Sequence, residues 1–144
     1  MFTYGGSKSH EWQRPVPVKE TVLTPAIFDQ LRLVMAADPV GFADLYRDYL
    51  ADAGRALQFI QESLQKHEFA DVKARAHSLK GSSLLLGAHA LARHAAQFED
   101  AAIATSLSDA VAVLENMQQA LRDVQWELMT RLGPEVLPAG ETAA

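Results

Sequence analysis

A chain of 144 residues, 49% hydrophobic and 22% charged, suits one globular domain with its own core and excludes a disordered chain. The absence of cysteine excludes disulfides, thiolate metal sites, iron–sulfur clusters and covalently attached haem, and is in keeping with a reducing compartment. A formal net charge of −5 argues against a nucleic-acid-binding surface, and no apolar run approaches the ~18–20 residues of a membrane span. With no basic-then-apolar leader at the N-terminus either, the expected location is cytoplasmic.

Residues 1–22 contain Gly5, Gly6, Pro15 and Pro17, mixed charge and no helical period. They read as an extended N-terminal arm, with Trp12 as its one candidate anchor. The domain itself is expected over residues 23–133. Thr24-Pro25 is an N-cap followed by proline at the first helical position, where a missing N–H costs nothing. The helix it opens runs to about Ala36, with Ile27, Phe28, Leu31 and Met35 at helical spacing. Asp38-Pro39 repeats the signal and starts a helix to about Lys66, striped by Phe42, Leu45, Tyr49, Leu57, Ile60 and Leu64. Gly54 in its interior costs about 1 kcal/mol against alanine and marks a candidate bend or close crossing.

A third helix is expected from about Glu68 to Leu86, stopped by Gly87. A fourth runs from about Ala88 to Thr105 with Leu91, Ala95, Phe98 and Ala102 in line. Ser106 or Ser108 caps a fifth, whose stripe is Val111, Leu114, Leu121, Val124, Leu128 and Leu132. Trp126 is expected at an edge of that helix, where its N–H reaches water or a partner. Gly133-Pro134 stops the pattern, and residues 134–144 read as a flexible C-terminal tail. No segment alternates apolar with polar residues. The fold expected is all-α: an antiparallel four-helix bundle with a short additional N-terminal helix, because the connections are too short for other than antiparallel neighbours.

The third helix carries the chemistry. At 100° per residue from His77, the side chains of Val72, Ala76, Leu79, Ser83 and Leu86 gather on the opposite, core-facing side. Lys73, Lys80, Gly81 and Leu84 fall within about 60° of His77 on the outer side. Histidine in its neutral form presents a nucleophilic ring nitrogen. A glycine one turn beyond it, on the same face, is a poor choice for helix propensity and leaves room for a bulky group on the ring or for an approaching backbone. Lys80 is a point charge on a flexible stem, suited to a phosphoryl group at the ring.

The run His77-Ser-Leu-Lys80-Gly81-Ser82-Ser83-Leu-Leu-Leu-Gly87-Ala88, followed by Leu91, Ala95, Phe98 and Glu99, resembles the signature of histidine-containing phosphotransfer (HPt) domains. The resemblance is sharpest over residues 72–99, and the helical layout extends it from about Leu23 to Leu132. It implies a phosphoryl carrier between receiver-domain aspartates in a multistep two-component phosphorelay. His77 is then the phosphoacceptor, Lys80 its charge partner and Gly81 the steric clearance, with attack through Nε2 and Nδ1 held by a neighbour. Gln97 and Glu99, opposite on the fourth helix, are both candidates for holding the ring. The implied partners are response-regulator receiver domains, a hybrid sensor kinase among them, which dock on Lys73, Lys80, Gly81 and Leu84, with Arg75 adding positive charge. The implied chain is a monomer with no cofactor of its own; Mg²⁺ belongs to the receiver. No Gly-rich phosphate loop is present, so autonomous kinase activity is not expected.

Simpler roles suit several neighbouring residues. Ser82 and Ser83 read as small packing residues. His89 and His94, five apart, do not share a helical face and make a poor metal pair. Two alternative functions are a non-catalytic adaptor that binds receivers, and a sensor-kinase dimerisation and phosphoacceptor fragment. The second fits less well, because Ser78 rather than an acidic residue follows His77 and the helix holds no proline.

Overall fold

Proline opens the first two helices. In the computed structural model, which describes residues 22–101, 103 and 105–137, α1 spans Pro25–Val34 and α2 spans Pro39–Gln65. Asp38 caps α2 by accepting the Gly41 N–H at 2.9 Å. Thr24 occupies the N-cap position of α1, but its hydroxyl is spent on Nδ1 of His89, 3.1 Å away. Three further helices follow: α3 at Val72–Leu86, α4 at His89–Asp100 and α5 at Leu107–Leu132. No strand occurs among the described residues.

The α2–α5 order closes on itself. Helix α3 packs between α2 and α4, and α5 packs between α4 and α2, so α3 and α5 are diagonal. Neighbours run antiparallel: Tyr46 and Tyr49 near the start of α2 meet Leu86 and Ser83 near the end of α3. The core runs down the bundle axis, with Leu50, Ile60, Val72, Leu91, Phe98, Met117 and Leu128 fully buried. At one end α1 lays Phe28 against Phe42 and Tyr46, ring centroids 5.3–5.5 Å apart. The Arg32 and Arg131 guanidinium groups lie 4.9 and 5.0 Å from the Phe28 ring centre. Such contacts add cation–π attraction to apolar burial.

Several boundaries differ from the sequence expectation, each for a local reason. Helix α3 begins at Val72 rather than near Glu68, because His67 turns left-handed at φ 56° and lets the Glu68 N–H reach the Ser63 carbonyl at 2.9 Å. That closes α2 with a Schellman-type stop. Helix α4 ends at Asp100, before the expected Thr105, as Ala101 turns extended. Two of the four bundle helices are therefore short, at 15 and 12 residues. In α1 only Phe28 is fully buried; Ile27, Leu31 and Met35 are half-buried. Val111 is 37% exposed at the α2–α5 edge rather than in the core. Gly54 marks no close crossing, since a Cβ there would meet nothing within 4 Å.

The tail expected from residue 134 is corrected over its first four positions. Pro134–Val136 forms a 3-10 turn against α5 and α2. Val136 is fully buried and Leu137 nearly so, while Arg47 Nε donates to the Glu135 carbonyl at 2.8 Å. Two apolar side chains directly after the Gly-Pro stop fill the open end of the bundle, which a helix-period reading does not register. Residues 1–21 and 138–144, including Trp12 and the rest of the expected arm and tail, lie outside the described residues.

Candidate functional site

The facing of α3 is set by its neighbours as much as by its own period. Val72, Ala76, Leu79, Ser83 and Leu86 are its buried residues, as the helical wheel requires. Two buried hydroxyl contacts lock this rotation. Tyr49 and Ser83 hydroxyls meet at 2.7 Å, and the Tyr46 hydroxyl donates to the Leu86 carbonyl at 2.9 Å. Burial pushes the Tyr46 phenol up to about 12 against a lowering by Arg131, and pushes Tyr49 up as well, so both stay protonated. Ser83, expected as a small packing residue, is thus a hydrogen-bonding one. The helix ends on Gly87 at φ 88°, whose carbonyl accepts the Thr24 N–H at 2.9 Å.

With the core face held inward, His77 projects outward, its side chain 68% exposed. Its Nδ1 lies 2.7 Å from Glu99 Oε2 on α4. An ionised carboxylate only accepts, so the proton of a neutral ring sits on Nδ1 and the Nε2 lone pair is left free. Of the two candidates for holding the ring, the structure brings Glu99 to it. The Gln97 carbonyl oxygen is instead 3.0 Å from His94 Nδ1.

Lys80 is not a free charge. Its Nζ stands 2.8 Å from Glu99 Oε1. The Lys80 ammonium holds the Glu99 carboxyl below its ordinary range; partial burial opposes this, and His77 adds to the lowering. Glu99 therefore bridges His77 and Lys80, one oxygen to each. The sequence offered one signal for it: Phe98 lies on the core stripe of α4, which puts residue 99 at the flank where α3 passes.

Gly81 is exposed, and a Cβ built on it would meet nothing within 4 Å. No part of this fold requires glycine there. Lys73 is exposed and Leu84 is 48% exposed, both beside His77 as the wheel places them. Arg75 departs from that face: its guanidinium stacks 4.3 Å from the Phe59 ring centre. It lines a cleft of about 780 Å³ between α2 and α3, walled by Leu45, Tyr49, Phe59, Leu79 and Leu85. Leu85, 73% exposed, stands at the rim of this cleft one turn beyond Gly81.

The other histidines do different work. His89 meets Thr24, and His67 packs edge-on to Phe69, ring centroids 5.8 Å apart. Among the described residues no group of three or more His, Cys, Asp or Glu side chains could hold a metal ion. No helix is long and apolar enough to cross a membrane. Trp126 is 61% exposed on the outer face of α5.

The Hpt domain family model matches residues 44–132, which include His77, Lys80, Gly81 and Glu99. Among solved structures, the crystal structure of a rice protein described as a histidine-containing phosphotransfer protein superposes with a TM-score of 0.70. The two are 22% identical, and the match covers 81% of this chain and 85% of the rice chain; at that identity the likeness is one of fold. No curated protein matches the chain.

Proposed function

From the premise that this chain belongs to the Hpt domain family, as its match over residues 44–132 establishes, we propose that it relays a phosphoryl group between receiver-domain aspartates through His77. The observation that carries this reading is an outward imidazole whose Nδ1 is engaged by a carboxylate at 2.7 Å, one turn from a glycine that the fold itself does not need. In the step envisaged, Nε2 attacks the phosphorus of an aspartyl phosphate in line. The N–P bond forms, the acyl O–P bond breaks, and the aspartate leaves as carboxylate. The Nδ1 proton stays on the ring, facing Glu99, which offsets the charge the imidazole acquires. The receiver supplies its acidic pocket and Mg²⁺, and this chain supplies a nucleophile held in one orientation. Positioning of that kind is the main source of rate in phosphoryl transfer.

Docking on the His77 face places the receiver over Lys73, Lys80, Gly81 and Leu84, with the α2–α3 cleft as its apolar continuation. Apolar contact with a charged edge is the composition of a transient interface.

The test is to incubate the chain with a phosphorylated receiver. The expected product is an acid-labile, base-stable phosphate on this chain that His77→Gln abolishes. Binding without label would favour the adaptor reading, and label from ATP with no partner present would favour the kinase-fragment reading.

A further inference from the structure

Glu99 serves two groups at once, and only one of them stays put during the reaction proposed above. We propose that Glu99 is a positioning residue that holds Lys80 in reserve, and that it takes up a proton when Lys80 moves from it to the phosphoryl group on His77. This inference rests on the phosphocarrier reading of the same site.

The argument starts from charge. The resting site carries a carboxylate and an ammonium in contact at 2.8 Å, with the imidazole beside them. A phosphoryl group on Nε2 puts close to two negative charges on its oxygens while the ring, keeping its Nδ1 proton, gains one positive charge, so the site becomes more negative by about one. Lys80 is the cation at hand, since Arg75 is stacked on Phe59 and Lys73 lies a turn toward the N-terminus. Its flexible stem lets the ammonium follow the new anion.

What Lys80 leaves behind decides the rest. Glu99 Oε1 is shut off from water, and the Lys80 ammonium at 2.8 Å is its compensation. A carboxylate oxygen shielded from water that loses its cation is disfavoured in its charged form, and protonation relieves it. The charged and titratable groups that face it are His77 and Lys80 of α3; among the described residues none from α2, α4 or α5 acts on it. Departure of the ammonium and arrival of the phosphoryl anion push Glu99 toward its neutral form; the positive charge the ring gains at Nδ1 opposes them but only takes the ammonium's place, so the added anion decides the direction. The protonated carboxyl can still accept from Nδ1 through its carbonyl oxygen, so the ring stays aimed. By linkage, acid then favours the phosphorylated chain over the interval between the two titration points.

The test needs no partner protein. Phosphoramidate phosphorylates an accessible histidine, its P–N bond breaking as ammonia leaves. The Glu99 carboxyl carbon is followed by ¹³C NMR between pH 7.5 and 3 in the cold, in the free and the phosphorylated chain. The expected result is a Glu99 midpoint about one pH unit or more higher after phosphorylation, the size of effect a lost opposite charge produces. An unchanged midpoint overturns the proposal. Lys80→Ala separates the cause: its free form should already titrate high, and phosphorylation should move it far less than wild type. A shift in Lys80→Ala as large as in wild type overturns the handover. Failure of phosphoramidate to label His77 at all overturns the phosphocarrier reading and this one with it, whereas label at His77 with a static Glu99 overturns this one alone.

Discussion

Two glycines, one inside α3 and one that ends it, are glycines for opposite reasons. Gly87 ends the helix at φ 88°, is buried, and would set a Cβ 3.3 Å from Ile27. Gly81 has ordinary helical backbone, is exposed, and would set a Cβ in open space. The first is demanded by the fold of this chain. The second is paid for by the fold, at about 1 kcal/mol of helix propensity, with no return inside the molecule. Gly54 lies in the same open space, so what distinguishes Gly81 is its place one turn from His77, where the proposed function uses it as clearance for whatever approaches the ring. A glycine that its own structure does not need points to a partner only where, as at Gly81 and not at Gly54, it stands beside the group that would react.

Substitutions can break this comparison or sharpen it. The largest effect is expected at Gly81→Gln, where phosphotransfer from a receiver should fall about 100-fold, the cost of holding reacting atoms slightly apart. Urea unfolding of the same variant should show equal or greater stability, because nothing in the chain crowds position 81. Transfer at the wild-type rate would end the clearance argument. Gly87→Val should do the reverse, lowering stability by about 2 kcal/mol or more, since a branched side chain at positive φ is strained and would press on Ile27. Gly54→Ala is the neutral reference: with open space around it and no place in the site, it should gain about 0.5–1 kcal/mol in the same unfolding experiment and leave transfer unchanged.

The smallest effect concerns the ion pair beside Gly81. Glu99 is held below its ordinary 4.5 in the folded chain. Its pairing with Lys80 therefore stabilises the fold above that pH, and the contribution drains away as pH falls through the lowered value. The difference in unfolding free energy between wild type and Glu99→Gln should accordingly narrow in acid. A difference that stays constant between pH 7 and 3 would mean that the contact carries no net stability.

Much of the helical layout could be read before any coordinates. Thr24-Pro25, Asp38-Pro39 and Gly87 mark ends that the structure uses, and the buried face of α3 matches its five expected residues. Where the reading failed, a non-helical contact had intervened. His67 closes α2 in a left-handed turn usually given to glycine, so the start of α3 is delayed by about four residues. Val136 and Leu137 carry no periodicity, yet they finish the core. In the site, His77, Gly81 and Leu84 lie where the wheel puts them. Lys80 lies there too, but already engaged by Glu99.

The amino-acid order alone determined which residues share a face of each helix, because i to i+4 bonding fixes 100° per residue whatever surrounds it. That is enough to turn His77 outward over Gly81. It does not determine which residue of α4 arrives opposite His77, or that Tyr49 meets Ser83. Those meetings depend on the axial offset between helices, set jointly by the turns and by core packing along the whole bundle. The tertiary structure alone chose Glu99 over Gln97, and in doing so brought to the His77 ring and the Lys80 ammonium a carboxylate 22 residues beyond the ring in the chain.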